Sequence, residues 1–450
     1  MPAGGGLLQL VATGKQDTFL TGNPQISFFK MVYRRHTNFA VESQAMYFDG
    51  TPNFGQRVTC LIPRRGDLLG KTYLEVVLPQ IVDTDDNPLS YTNSIGHALI
   101  QEITFEVGEQ EIDRQTGEWM EIWTQLSTPA GQRDALNEMI GRVEPYNIVD
   151  LQPGMDSDGL HLLIPLQFYF CNNPGMYLPL LALQYSPIRI NITLRPLQQL
   201  FWIPPPQPPF SQENWMPACS TQVSCTNQIV SMQLWGDFVY LDVEERRRFV
   251  SGTHEYIIEQ VQYTPPYSLT AAQTTATISV EFNHPIKEFI FVVQRDAMEN
   301  RNEWFNYSNL AIGEQTPILV LPYVNSNAPA GRLDMISTAK LQLDGYDRFS
   351  ERNGQYFRLS QPYDHHTTTP VNSFIYDYSF ALRPEDAQPT GTMNASRIDS
   401  ITWQIQMNPV LSNPLMPLWQ QRGNCHIVVY GHNYNIFRVI NGFGGVLFTI

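Results

Sequence analysis

Cysteine is scarce in this chain. Five occur in 450 residues (Cys60, Cys171, Cys219, Cys225 and Cys425), an odd number with no CxxC pair. That set gives no disulfide framework and no cysteine-based zinc signature, which leaves buried thiols in a reducing compartment. Charge is also thin, at 16% of residues, and basic residues are outnumbered 28 to 43, for a net charge of −15. A duplex-binding surface needs a basic face, so no direct nucleic-acid partner is expected. No run approaches the ~18 apolar residues of a membrane span. The N-terminus lacks a basic-then-apolar leader, and Met1-Pro2 lacks the glycine that myristoylation needs. These absences suggest a protein made and assembled in the cytosol.

Catalytic and cofactor patterns are missing too. Gly66-Asp67-Leu68-Leu69-Gly70-Lys71-Thr72 imitates a phosphate loop, but it has three residues between its glycines where the loop needs four. It also runs into a strand-like segment instead of a helix, so no helix N-terminus is there to hold phosphate. Asp364-His365-His366 is the one histidine pair. Neighbouring residues on a strand point to opposite faces, so the pair would not chelate one ion together and reads as a polar loop. No GxSxG or HExxH stretch occurs. No catalytic residue, metal or cofactor is assigned.

What the chain has is repetition. An alternating run leads to Gly108, with Gly117-Glu118-Trp119 nine residues on; another leads to Gly345, with Gly354-Gln355-Tyr356 nine residues on. Lys71 to Val77 echoes Lys287 to Val293, Ile188 to Leu194 echoes Ile401 to Met407, and Leu234 to Tyr240 echoes Val429 to Asn435. The order is constant while the spacing drifts. Two copies of one fold look like this once their loops have diverged.

Hydrophobic residues reach 42%, with 33 Pro and 29 Gly scattered throughout. This composition suits large cores and many short strands joined by turns. Period-two alternation marks 26–33, 56–62, 71–78, 100–107, 163–170, 188–194 and 229–241. Only 129–141 reads as helical, with Pro129 at its start and Gly141 at its end. Residues 1–25 are Gly-rich and turn-rich and read as an N-terminal arm: Gly4, Gly5, Gly6, then Thr21, Gly22, Asn23 and Pro24. The proline run at 204–209 resembles a linker, but the last echo puts the end of the first copy after it. The first copy is therefore 26–242, with a stiff proline-rich loop at 203–217 inside it. The connector is 243–253 and carries Glu244, Glu245, Arg246, Arg247, Arg248 and Phe249. Its acidic start and basic end suit a helix dipole. The second copy is 254–450. Period and turns favour tandem antiparallel β-sandwiches without separating a jelly roll from an immunoglobulin-like or lectin-like one.

The ordered motifs resemble a known family. Gly4-Gly5-Gly6-Leu7-Leu8-Gln9-Leu10 is followed by Phe19-Leu20-Thr21-Gly22-Asn23-Pro24 and by Tyr33-Arg34-Arg35-His36-Thr37-Asn38. Later come Tyr240-Leu241-Asp242-Val243-Glu244-Glu245-Arg246-Arg247-Arg248-Phe249, Phe282-Asn283-His284-Pro285 and Asp347-Arg348-Phe349-Ser350-Glu351-Arg352. In this order they resemble the major capsid proteins of nucleocytoplasmic large DNA viruses, nearly end to end. The resemblance implies an all-β double jelly roll, two tandem eight-stranded antiparallel sandwiches with short helices in loops. It also implies a homotrimer of roughly hexagonal outline that meets neighbouring capsomers in an icosahedral shell in the virion. Minor capsid proteins would lie beneath it, and the internal viral membrane would be met only indirectly. The segments 204–209 and 302–329 depart from the family pattern. A minor capsid paralogue and a lectin-like glycan-binding virion protein are the alternatives. A β-sandwich glycosidase would need two carboxylates at a defined separation, and no pair is singled out.

Overall fold

The computed structural model describes residues 4–82, 88–143, 159–202, 228–309, 333–412 and 422–448. The chain divides into two units, 1–38 and 39–450. The first contains two short helices, Gly5–Val11 and Thr18–Thr21. The alternation at 26–33 is not a strand: no ladder pairs it, and its side chains are exposed.

The second unit contains two jelly rolls. Lobe one has β1 (Phe39–Met46), β2 (Arg57–Leu61), β3 (Leu68–Leu78), β4 (Ile100–Val107), β5 (Gln110–Thr116), β6 (Leu160–Pro165), β7 (Ile188–Leu194) and β8 (Ser231–Leu241). Lobe two has β9 (His254–Tyr263), β10 (Thr275–Val280), β11 (Pro285–Arg295), β12 (Ile336–Leu343), β13 in two pieces (Tyr346–Asp347 and Arg352–Asn353), β14 (Tyr376–Ser379), β15 (Ile401–Met407) and β16 (Cys425–Ile440). All ladders between them are antiparallel. The sheets run β1-β8-β3-β6 and β2-β7-β4-β5 in lobe one, and β9-β16-β11-β14 and β10-β15-β12-β13 in lobe two. Adding eight to each number converts one lobe into the other.

Alternation places the two cores. Leu74, Val76 and Leu78 of β3 point inward with Ile188, Ile190 and Ile192 of β7. In lobe two, Phe289, Phe291 and Val293 of β11 meet Trp403 and Ile405 of β15. Cys60, Cys171 and Cys425 are free thiols within these cores.

The four sequence echoes fall on matching strands, with one slip of register. Trp235 pairs with Tyr73, and Tyr430 with Ile290. Tyr73 therefore corresponds to Ile290, one residue further along than the echo of Lys71 with Lys287 suggests. A one-residue slip exchanges the two faces of a strand. Both ladders also carry an irregularity at the same place, at Gly236/Phe238 in lobe one and at Ile286/Glu288 in lobe two.

The nine-residue glycine spacing combines a turn and a helix start. Gly108 and Glu109 both have positive φ (61° and 69°), as do Asp344 and Gly345 (51° and 79°). Each pair forms a two-residue hairpin of the type I′ kind. Gly117 and Gly354 are not turns; each opens a helix. A Cβ at Gly117 would overlap the carbonyl oxygens of His97 and Ile100, and one at Gly354 would overlap that of Ile336. The helices are α1 (Gly117–Ser127), missed in the sequence, and α4, π-helical over Tyr356–Ser360 and continuing as Gln361–His365. The predicted helix is α2 (Ala130–Ile140), ended by Gly141 at φ 67°. The connector forms α3 (Val243–Ser251).

The loop 203–217, Cys219, Cys225 and residues 310–329 lie outside the described residues. Within 302–309, Asn302 donates through Nδ2 to the carbonyls of Gln198 (2.9 Å) and Phe201 (2.7 Å), and Trp304 Nε1 donates to that of Gln199 (2.8 Å). This part of the variable segment is tied to lobe one.

Candidate functional site: the seam between the lobes

The seam begins with α1. Trp119 N donates to Thr116 Oγ1 at 3.3 Å, which caps the helix start. One face of α1 presents Trp119, Ile122, Trp123 and Leu126 at helical spacing. These pack on Val261 of β9, Ile290 and Val292 of β11, and Tyr430 of β16. The Trp119 and Trp123 rings stack at 5.7 Å, and Trp123 meets the His432 ring edge-on at 4.6 Å. Burying a large apolar side chain contributes about 1.5–3 kcal/mol, so this face contributes on the order of 10 kcal/mol to holding the lobes together.

The opposite face of α1 is anchored by ions. Glu121 is buried with His97 Nδ1 at 2.7 Å and Arg142 Nη2 at 2.6 Å. Ser94 Oγ and Gln125 Nε2 also donate to it. Burial alone would raise the Glu121 carboxyl, but Arg142 and His97 outweigh that and hold it well below the ordinary range. At the next strand, Asp113 accepts from the backbone N–H of Val261 across the seam (3.2 Å) and from Gln115 Nε2 (2.7 Å). Burial pushes this carboxyl up to about 6 despite those bonds.

Behind Trp123 lies a buried polar cluster on the seam-facing side of lobe two. Lys287 Nζ donates to Glu259 at 2.7 Å, and His432 Nδ1 bonds Glu288 Oε1 at 2.9 Å. Burial would raise Glu259, yet Lys287 and His432 bring it down to about 2. His366 reaches the same cluster from the end of α4. Its side chain is fully buried, which corrects its reading as part of a polar loop, whereas His365 bonds the Leu382 carbonyl near the surface. His365 and His366 do not converge. Sequence reasoning missed this cluster because its members lie far apart in the chain.

The connector residues lie together on α3, and none of them is fully buried. Asp242 caps the helix, its side chain accepting from Val243 N at 2.7 Å. Arg246 pairs with Asp67 of lobe one at 3.1 Å, and Asp67 also accepts from Leu241 N at 2.8 Å. Arg247 pairs with Glu244 along the helix surface (3.5 Å). Phe249 stacks on His254 (5.1 Å), whose Nε2 donates to the Phe249 carbonyl at 2.7 Å. Exposed pairs of this kind contribute about 1 kcal/mol or less, so the Trp-lined seam carries more of the contact between the lobes than the connector does.

In the arm, Gly4 precedes the first helix and Gly5 and Gly6 lie within it; Thr21 ends the second, and Asn23 has φ 52°. Its large apolar side chains are exposed, up to 91% for Phe19.

Paired eight-stranded sandwiches with one strand order, fused through a helix-lined seam, define a double jelly-roll protein. Residues 245–445 match the large eukaryotic DNA virus major capsid protein family, and residues 27–242 match the major capsid protein N-terminus. The major capsid protein of Phaeocystis pouchetii virus is 36% identical, covering 99% of each chain. That of Paramecium bursaria Chlorella virus 1 is 33% identical with the same coverage. The quasi-atomic PBCV-1 virus capsid structure matches with a TM-score of 0.73 at 28% identity, covering 94% of this chain and all of the other. The Faustovirus major capsid protein shares the fold at a TM-score of 0.71 and 11% identity, covering 95% of this chain and 94% of the other. This chain belongs to the major capsid proteins of large DNA viruses. It is a structural component of the virion, in a family that is not an enzyme family.

Proposed function

We propose that three copies of this chain form a trimer with six alternating lobes, and that these pseudo-hexagonal capsomers tile an icosahedral shell. The observation that carries this reading is the shared strand order of the two lobes. Within one chain, lobe one offers α1 to the outer face of the β9-β16-β11-β14 sheet. By the same correspondence, lobe two offers α4 to the outer face of β1-β8-β3-β6 in the next chain. That face is suited to a partner: it carries Tyr73 and Trp235, with Glu75 accepting from Trp235 Nε1 at 2.6 Å and from Gln233 Nε2 at 2.5 Å. Phe39 and Val41 are exposed on its edge strand.

In this reading residues 1–25 are an assembly arm, 26–242 and 254–450 are the lobes, and 243–253 is the connector. The arm clamps neighbouring capsomers or minor capsid proteins beneath the shell. The internal membrane is met only indirectly, nucleic acid is not contacted, and assembly takes place in the host cytoplasm. A charge of −15 per chain favours a large apolar trimer interface and modest contacts between capsomers. Sedimentation of the purified chain should give a trimer, seen by electron microscopy as a three-fold particle with six lobes. A stable monomer at micromolar concentration would overturn the reading. Deleting residues 2–22 should leave the trimer intact and stop shell assembly; normal shells from that variant would remove the arm's role.

A further inference from the structure

We propose that Glu288, His366 and Asp377 form a divalent-metal site inside lobe two, with zinc as the preferred ion. The residues come from β11, the end of α4 and β14. All three side chains are fully buried. Glu288 Oε2, His366 Nε2 and both Asp377 carboxylate oxygens make no hydrogen bond. One ligand atom from each residue lies within 4.8 Å of the other two.

The distances separate a metal site from a plain ion pair. Charge-assisted hydrogen bonds run at about 2.7–2.9 Å. The same cluster contains two at 2.9 Å, from His432 Nδ1 to Glu288 Oε1 and from His366 Nδ1 to Glu385 Oε1. His366 Nε2 lies further from its two carboxylates, 3.2 Å from Glu288 Oε2 and 3.4 Å from Asp377 Oδ2. Zinc bonds of about 2.0–2.2 Å in a tetrahedron place neighbouring ligands about 3.4 Å apart. The inner contacts match that edge.

Hydrogen-bond partners hold two of the three ligands in place, as metal ligands need. His366 Nδ1 bonds Glu385, which turns Nε2 toward the two inner carboxylates. Glu288 is oriented by His432, whose Nε2 lies 3.6 Å from Glu259, and Glu259 holds Lys287. Glu259, Glu288, Asp377 and Glu385 are set against one lysine and two imidazoles. A divalent ion offsets buried negative charge that these partners leave. One nitrogen and carboxylate oxygens, without thiolate, suit zinc or manganese better than a thiophilic ion. A cavity of about 310 Å³ lined by Trp123, Tyr169, Glu259 and Glu385 reaches two of these surrounding carboxylates.

The test is elemental analysis of the full chain isolated from zinc-defined medium, with melting curves in chelator and in added zinc, manganese, calcium or magnesium. The expected result is about one zinc per chain and a melting temperature about 5 °C higher with zinc than with chelator. Asp377→Asn, which keeps the shape and removes a buried charge, and His366→Gln should each lose the ion. His426→Gln, in the more exposed Asp296, Glu299 and His426 group, should keep it. Less than about 0.1 ion per chain under every condition, with unchanged melting, would overturn the site. So would zinc lost in His426→Gln and retained in Asp377→Asn.

Discussion

The helix that follows the fifth strand has a different setting in each lobe. In lobe one, α1 lies against lobe two, and Leu126, nine residues after Gly117, is fully buried. In lobe two, Tyr363 stands nine residues after Gly354 and is 79% exposed. Both helices are anchored from behind by an ion pair. Glu121 holds Arg142 and His97 in lobe one; in lobe two Asp334 holds the Arg358 guanidinium at 2.5 and 3.0 Å. The same device is thus satisfied within the chain on one side and left open on the other. In the proposed trimer one kind of contact surface serves both the fold and the assembly.

The largest test of the comparison removes the anchors. Glu121→Ala leaves Arg142 buried without its main partner and should cost about 3–5 kcal/mol, read as the denaturation midpoint of the isolated chain. Asp334→Ala, whose partners lie nearer to solvent, should cost about 2 kcal/mol. A reversed order would mean that α4 is the more tightly held helix.

Next come the faces. Trp123→Ala opens a cavity in the seam and should cost about 3–5 kcal/mol. Tyr363→Ala should change the stability of the isolated chain by less than about 0.5 kcal/mol. It should still weaken trimerisation about tenfold, measured by sedimentation across a dilution series, which corresponds to about 1.4 kcal/mol. If self-association is unaffected, α4 is not the counterpart of α1 in assembly.

The last test is the pH response of the seam. Asp113 has a carboxyl raised to about 6 in the folded chain, above its unfolded value of about 3.9. The stability it confers is complete below pH ~3.9 and is lost as pH rises through ~6, because the folded state binds the proton more tightly. Asp113→Asn should therefore match the parent near pH 4 and exceed it above pH 7, by at most about 3 kcal/mol. Melting curves at the two pH values check this, and a gain confined to low pH would contradict the sign.

Much of this architecture was legible in the sequence because duplication let each lobe serve as a control for the other. The echoes identified the matching strands, and Gly141 marked the end of its helix. Register was not legible: an alternating strand fits its echo nearly as well one residue along, and only the ladder partners of Tyr73 and Ile290 fix the correspondence. Helix α1 was hidden because Trp119, Ile122, Trp123 and Leu126 read as core-like residues without a capping box. At 26–33 alternation alone misled, since a strand needs a partner ladder as well as a pattern. The His366 cluster was out of reach, because Glu288 reads as one residue of an alternating strand and meets His366 and Asp377 only once three elements have packed.

The order of the strands has a consequence for the timing of synthesis. In each lobe the strand made last, β8 or β16, lies inside its sheet and pairs on both sides, β8 with β1 and β3, β16 with β9 and β11. After β16 the chain turns into β17 (Phe443–Val446) and returns to lobe one: Gly444 N donates to Ser186 Oγ at 3.1 Å and Tyr185 N to the Gly442 carbonyl at 2.9 Å. An unfinished chain thus leaves β9 and β11 as open edges with no strand between them, the kind of surface that aggregates. Only a chain that includes β16 closes the lobe-two sheet and completes the seam.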